Sequence, residues 1–267
     1  MAERTRIVVV GAAGRMGRML TATALADPGI QVVGAVDRAE APGAGEDVGT
    51  LAGRAPVGVR VGSELSAVLA GTDVVVEFSA PEASVAHAAI VAAAGRAMVI
   101  GTTGLSEAQV AQVRASAELA PILMAPNMSL GVNVLLRFLP LIARSLGEGY
   151  DIEIVETHHR GKKDAPSGTA LKLGEVIAEG LGKRLPDVAV HGRSGIQPRV
   201  PGEIGFHAIR AGANVGEHVV IFSNEGEQIE VTHRAFSRET FALGAVRACK
   251  WLAGREPGFY SMHDVVG

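Results

Sequence analysis

An alternation in the first half constrains this chain most. Short runs of aliphatic, mostly β-branched residues stand at 7–10, 31–36, 73–78, 97–100 and 121–125, separated by stretches of helical character. Runs of this length, bounded by turn residues, read as strands buried on both faces. Strands that alternate with helices predict a parallel sheet covered by helices on both sides. The helix boundaries carry their own signals. Asp27-Pro28-Gly29 stops the first helix, Pro81 and Glu82 open another that Gly95 closes, and Ser106-Glu107-Ala108-Gln109 forms a capping box. Residues 39–54 read as loop.

After about residue 130 the pattern changes. Stretches 132–146, 167–181 and 237–253 are helical, and 150–157, 202–211, 217–223 and 228–235 are strand-like. The last two strands are joined by a turn at Asn224-Glu225-Gly226. Hairpin-joined strands predict an open mixed or antiparallel sheet with one face free. The expected fold is therefore α/β: a Rossmann-type parallel-sheet domain plus a second α+β domain with an open mixed sheet. The expected division is 1–129 with 237–267, and 130–236.

Composition removes several classes. The 34 glycines of 267 residues have no three-residue period, which excludes a collagen-like chain, and 48% hydrophobic residues exclude a disordered one. A net charge of −3 gives no global attraction to nucleic acid or anionic lipid. The single cysteine, Cys249, forms no internal disulfide and is too little sulfur for a Cys-based metal site. Residues 1–6 lead into the first strand with no room for a leader. No apolar run approaches the ~18 residues of a membrane span, His87 and Arg96 interrupting the best candidate. The expectation is a cytoplasmic protein with neither nucleic-acid nor membrane partners.

Gly11-x-x-Gly14-x-x-Gly17 lies between the first strand and first helix. Glycines there permit a tight turn, close approach of backbone to a pyrophosphate, and close helix–strand packing. The helix N-terminus supplies N–H groups and dipole for the anion. Asp37 ends the second strand, where a carboxylate accepts hydrogen bonds from an adenosine ribose. Arg38 beside it suits a 2′-phosphate, so the pair admits NADH or NADPH. Gly101-Thr102-Thr103-Gly104 leaves a later strand at the same edge of the sheet and borders the expected nicotinamide site.

The densest polar stretch is Glu156 to Ala170, running from a strand end into a helix. Strand alternation would put His158 and His159 on opposite sides if the strand continued that far. Ser167-Gly168-Thr169 opens a helix and makes a natural carboxylate site. The His pair has no spaced His or Cys partner and lies among Arg and Lys, so no metal is expected. A two-domain nucleotide-binding chain admits several readings. One is a two-domain dehydrogenase acting on an aspartate-derived aldehyde; its phosphorylating type needs a thiol nucleophile, and Cys249 lies far from any glycine turn. A redox-sensing nucleotide-binding protein would need no His158/Lys162 pair.

Glu156–Ala170, with its string H-H-R-x-K-x-D-A-P-S-G-T, closely resembles the signature of the 4-hydroxy-tetrahydrodipicolinate reductase (dihydrodipicolinate reductase) family. The resemblance extends over Gly11 to Gly17, Gly101 to Gly104, Ala125 to Ser129, Arg193 to Gly195, Gly202 to Gly212, Asn214 to His218 and Phe241 to Arg247. It implies nicotinamide-dependent reduction of a cyclic dicarboxylate imine to tetrahydrodipicolinate in lysine and diaminopimelate biosynthesis. By position it implies His158 as proton donor/acceptor, Lys162 as second proton donor, His159 as a substrate contact, and Gly168 and Thr169 as the carboxylate-binding turn. It implies cofactor contacts at Gly11, Ala12, Ala13, Gly14, Arg15 and Met16, at Asp37 and Arg38, at Gly101, Thr102 and Thr103, and at Ala125, Pro126, Asn127 and Met128. It also implies a homotetramer formed through the sheet of the second domain, which would serve substrate binding and oligomerisation, while the first binds the dinucleotide.

Overall fold

The structure is a computed structural model and describes residues 4–267. Residues 1–3, the head of the stretch expected to leave no room for a leader, lie outside the described residues. The chain begins with β1 (Thr5–Val10), α1 (Arg15–Ala26), β2 (Ile30–Val36), α2 (Val48–Leu51), β3 (Val61–Gly62) and β4 (Val74–Glu77). It continues through α3 (Pro81–Ala93), β5 (Ala97–Ile100), α4 (Glu107–Ser116) and β6 (Pro121–Met124). Then follow α5 (Leu130–Leu146), β7 (Asp151–His158), α6 (Gly168–Gly180), α7 (Leu185–Val188), β8 (Ala189–His191) and β9 (Ile204–Arg210). The last elements are β10 (Gly216–Ser223), β11 (Gln228–Ala235), α8 (Glu239–Leu252), β12 (Gly258–Tyr260) and α9 (Met262–Val266). The chain divides into two compact units, 1–130 with 239–267, and 131–238.

The first unit is a seven-stranded parallel sheet in the order β12-β6-β5-β4-β1-β2-β3. Successive strand residues point to opposite faces. Ile7 and Val9 therefore enter one core while Val8 and Val10 enter the other. Val74 and Val76 separate from Val75, and Val99 from Met98 and Ile100, in the same way. Two cores on two faces explain why residues 7–10, 74–76 and 97–100 are apolar throughout. The small residues of α8 (Ala242, Ala245, Ala248, Cys249) share the first core with Leu20 and Ala24 of α1. Lys250 of α8 also pairs with Asp27 at 2.5 Å.

The second unit carries a five-stranded mixed sheet in the order β11-β10-β7-β9-β8. β11, β10 and β7 are antiparallel neighbours; β9 runs parallel to both β7 and β8. Ile152, Ile154, Ile204, Phe206, Val220 and Phe222 share a core with Leu139 and Ala143 of α5 and Leu173 and Ile177 of α6. The opposite face presents Glu153, Val155, Thr157, Ile209, Val219 and Ile221, with Ile209 45% exposed.

Three expectations need correction. Residues 39–54 are not all loop: Asp47 caps α2 by accepting from the N–H groups of Gly49 and Thr50. The strand expected at 150–157 runs on to His158. Finally, one helical stretch, 130–149, is long and apolar enough by length and composition to cross a membrane. Arg137 and Arg144 interrupt its apolar run, which hid its length in the sequence. Within it Leu139 and Ala143 are buried in the core of the second unit, whereas Val134, Phe138 and Leu141 are exposed.

Candidate active site

In the first unit the chain order reverses between β1 and β4, on either side of which the strands run outward in sequence. Such a switch point leaves a crevice beyond the carboxyl ends of the strands. A crevice of about 570 Å³ lies there. It is lined by Gly14, Arg15 and Met16 after β1, Phe78 and Ser79 after β4, and Gly101, Thr102 and Thr103 after β5. Pro126, Asn127 and Met128 after β6, and Phe241 of α8, complete the lining.

The glycine loop shows how sequence makes this shape. Gly11 has φ +74°, and a Cβ on it would lie 2.4 Å from the carbonyl oxygen of Phe78. A Cβ on Gly17 would lie 2.1 Å from the carbonyl oxygen of Gly11, so α1 approaches the loop only because that residue has no side chain. The N–H groups of the loop itself are used internally. Gly11 and Ala12 donate to Val36 O at 2.9 and 3.2 Å, Gly14 donates to Gly11 O at 3.0 Å, and Ala13 donates to Asp37 Oδ2 at 2.9 Å. The first turn of α1, by contrast, leaves the N–H groups of Arg15, Met16 and Gly17 without acceptors in the helix. These donors are left over at a helix start, where the dipole favours an anion.

A buried acid ties the crevice walls together. Glu77 ends β4 with its side chain fully buried and accepts from the hydroxyls of Ser79 and Ser84 and from His87 Nδ1, the last two at 3.1 Å. Ser79 N–H then donates to Thr102 Oγ1 at 2.9 Å, joining the turn after β4 to the turn after β5.

The second unit gathers a polar cluster at one end of its sheet. Ile152, Ile154, Glu156 and His158 are the buried residues of β7, so its inward face changes from apolar to polar along the strand. Glu156 stands opposite His218 of β10, and His158 opposite Arg210 of β9. Arg210 holds Glu156 through both oxygens, Nη2 to Oε1 at 2.6 Å and Nη1 to Oε2 at 2.8 Å, and also donates to Asp164 O at 2.7 Å. His158 Nδ1 lies 2.5 Å from Glu156 Oε2, and Ser167 N–H donates to Glu156 Oε1 at 3.0 Å. Ser167 caps α6 by accepting from Ala170 N–H at 3.1 Å, and its hydroxyl lies 2.9 Å from His218 Nε2. The rings of His158 and His218 meet edge to face at 5.3 Å.

These contacts set the electrostatics. Burial pushes the Glu156 carboxyl up, but Arg210, His158 and the Ser167 N–H together hold it below the ordinary carboxylate value. Burial lowers His158 below the ordinary imidazole value, with Glu156 opposing the shift. Burial, reinforced by neighbouring His158, pushes His218 down to about 4, so it is neutral at physiological pH. Lys162 pairs with Asp164 at 3.0 Å and holds that carboxyl low.

The expected residues fall into separate sets. Gly14 to Met16, Gly101 to Thr103 and Pro126 to Met128 line the crevice, whereas Ala12 and Ala125 are buried in the core. Gly11, Ala13 and Asp37 shape the loop, and Arg38 is exposed. In the second unit His158 is buried in the cluster; His159 and Lys162 are half-buried. Gly168 opens α6 with open space where a Cβ would stand, and Thr169 follows it in the first turn. Sequence reasoning missed Phe78, Ser79 and Phe241 in the crevice and gave no role to Glu156, Arg210 or His218; Ser167 it read only as part of a carboxylate site. Phe78 and Ser79 carried a signal, since they follow a strand run just as Gly11 does. Arg210 and His218 carried none that is local.

The sheet, its switch-point crevice and the glycine turn define an oxidoreductase of the Rossmann class. The family models described as dihydrodipicolinate reductase, N-terminus, and dihydrodipicolinate reductase, C-terminus, match residues 5–128 and 131–266. The 4-hydroxy-tetrahydrodipicolinate reductase of Anaeromyxobacter dehalogenans is 53% identical over 264 residues, covering 98% of both chains. That of Rubrobacter xylanophilus is 54% identical over 261 residues, again with 98% coverage of each. A solved dipicolinate-bound dihydrodipicolinate reductase from Paenisporosarcina superposes with a TM-score of 0.78 at 24% identity, covering 97% of each chain, which bears on the fold. The chain belongs to the dihydrodipicolinate reductase family. Membership and fold imply a nicotinamide cofactor, and the crevice fits one in its volume and its glycine-opened helix N-terminus.

Proposed function

We propose that this chain reduces 4-hydroxy-tetrahydrodipicolinate to tetrahydrodipicolinate with NADH or NADPH, in lysine and diaminopimelate biosynthesis. The observation that carries the reading is the cluster at the end of β7. It sets a proton-bearing imidazole, His158, beside the helix start at Ser167-Gly168 within one hydrogen-bonded network. A reduced nicotinamide held in the crevice would supply the hydride, from C4, for the substrate ring. The N–H groups of Arg15 and Met16 would hold the pyrophosphate, and Asp37 and Arg38 would take the adenosine end. Residues 101–103 and 125–128, with Phe78 and Ser79, border the nicotinamide. The α6 N-terminus at Gly168 and Thr169 binds a substrate carboxylate through its dipole and N–H groups, and His159 contacts the ring substituents. Loss of a ring proton and the 4-hydroxyl as water gives the conjugated imine, and hydride addition to it leaves one negative charge on the ring, which a single proton from His158 or Lys162 quenches. The dipicolinate bound to the Paenisporosarcina enzyme is a planar dicarboxylate and supports this substrate class.

The enzyme works as a cytoplasmic homotetramer in this reading. Its second sheet supports that assembly, because the face bearing Val155, Ile209, Val219 and Ile221 lies opposite the face packed on α5 and α6.

The test is a coupled assay. Pyruvate, aspartate semialdehyde and a condensing enzyme generate the substrate, and NADH or NADPH oxidation is followed. Substrate-dependent oxidation is expected, and its absence with both cofactors overturns the reading. His158→Ala and Lys162→Ala should each lower kcat by roughly 10²-fold or more with NADH affinity retained. Near-normal turnover in both would remove the proton assignment.

A further inference from the structure

We propose that Glu156 is a positioning residue for this reaction: one buried carboxylate fixes the tautomer of His158 and anchors the helix start at Ser167, so that proton donor and carboxylate-binding turn form one rigid body. The proposal rests on the assignment of His158 above.

A carboxylate is a costly residue at this point in β7. Glu156 is 1% exposed and continues the inward row that begins with Ile152 and Ile154. Apolar residues of similar size usually serve stability at least as well as a buried ion pair. Packing alone therefore does not account for an acid here. Its four contacts do. Oε2 accepts from His158 Nδ1 and Arg210 Nη1, and Oε1 accepts from Ser167 N–H and Arg210 Nη2. An ionised carboxylate offers about four acceptor sites and no donor, so all of them are filled and each partner is held in one direction.

The consequence for His158 is a choice of nitrogen. Because its partner only accepts, Nδ1 carries the proton in the neutral ring, and Nε2 is the atom that gains and loses one. Nε2 has no protein partner among the described residues. It lies over Gly216, where a Cβ would come within 3.0 Å of it. Glu156 thus sends all proton exchange through Nε2, one corner of a ring whose residue is 8% exposed. The same carboxylate holds the N–H that starts α6, so the ring and the turn shift together or not at all.

The charges around His158 give a readout beyond stability. Glu156 acts from its own strand, Arg210 from β9, Lys162 from the following loop, and His218 lies edge-on from β10. Burial, Lys162 and Arg210 all disfavour the imidazolium, and Glu156 alone favours it. Neutralising Glu156 while keeping its shape should therefore deplete the protonated ring.

The experiment is Glu156→Gln, measured as kcat and KM against pH, alone and combined with His158→Gln. In the single variant kcat should fall by about 10²-fold, the limb on which kcat declines with rising pH should move to lower pH, and KM for NADH should stay within about twofold. In the His158→Gln background the same substitution should cost less than about twofold, because its effect runs through the imidazole. Equal losses in both backgrounds with an unmoved limb would reduce Glu156 to a structural residue and overturn the proposal. A His158→Gln variant with near-normal turnover would instead refute the assignment of His158 itself, and it shows this without any change at Glu156. One measurement needs no variant: nitrogen chemical shifts of His158 in the wild-type protein, above its titration. They should report a proton on Nδ1 and a bare Nε2, and the opposite tautomer overturns the proposal even if Glu156→Gln fails to fold.

Discussion

Arg210→Met isolates the energetics of the second unit's polar cluster. Methionine keeps much of the aliphatic stem of arginine and removes the guanidinium. Glu156 then loses two of its four donors, the contacts at 2.6 and 2.8 Å, and Asp164 O loses its donor at 2.7 Å. Breaking a buried pair by removing one partner costs about 3–5 kcal/mol. Ser167 N–H and His158 remain on the carboxylate, so the lower end applies, about 3 kcal/mol. The penalty depends on pH with a definite sign. Glu156 is held below its ordinary value of 4.5, with Arg210 first among the causes that lower it against burial. Its contribution is therefore present above the unfolded carboxylate range and is lost as pH falls through the folded value. The variant has less of that contribution to lose. Its deficit should be full near neutral pH and narrow as the pH is lowered below about 4.5. Hydrogen exchange read on peptides from β7 and β9 measures this within the second unit. A deficit of about 3 kcal/mol speeds exchange through subglobal opening by roughly 10²-fold. A deficit under about 1 kcal/mol, or one that does not narrow with acid, would refute the view of Glu156 as an ionised hub.

Two further outcomes concern the first unit. Gly17→Ala puts a methyl 2.1 Å from Gly11 O and 2.7 Å from Ala12 Cα, so α1 must back away from the loop. It should lower stability by about 1–3 kcal/mol and weaken NADH binding by roughly tenfold or more, read by thermal melting and fluorescence titration; an unchanged affinity would place the pyrophosphate elsewhere. Arg38→Ala should raise the KM for NADPH by about tenfold while leaving NADH within about twofold, and equal changes for both cofactors would remove its role at a 2′-phosphate.

The parts of the fold legible in sequence are those whose residues answer to one strong local demand. Residues 7–10 of β1, with β4 and β5, are apolar at every position but Glu77 because they feed two cores. The capping box at Ser106 and Gln109 was legible because two hydrogen bonds between near neighbours define it. What escaped is short or remote. β3 has two residues and β8 and β12 three each, too few for any periodicity. α2 escaped because its four residues include a glycine, although Asp47 carries the capping signal and also binds the N–H groups of Val57 and Gly58. The site divides on the same line. The spacing of Gly11, Gly14 and Gly17 is local and pointed to the crevice. Arg210 lies 54 residues from Glu156, and His218 lies 51 from Ser167. Only the register of β9, β7 and β10 brings them together, and register is decided by the whole sheet.

Asp37 joins the two cases. Its place at the end of β2 predicted a carboxylate facing a ribose, yet in the structure Oδ2 accepts from Ala13 N–H at 2.9 Å and Oδ1 from Arg38 N–H at 2.8 Å. The two roles are compatible, because a carboxylate has about four acceptor sites and these contacts use two. The bond to Ala13 holds the glycine loop in place, and the remaining lone pairs are free for ribose hydroxyls. On the proposed cofactor reading, loop geometry and ribose recognition share one side chain, so no substitution at Asp37 separates them. Arg38 is the place to test cofactor choice, since its guanidinium lies outside the loop's own hydrogen bonds.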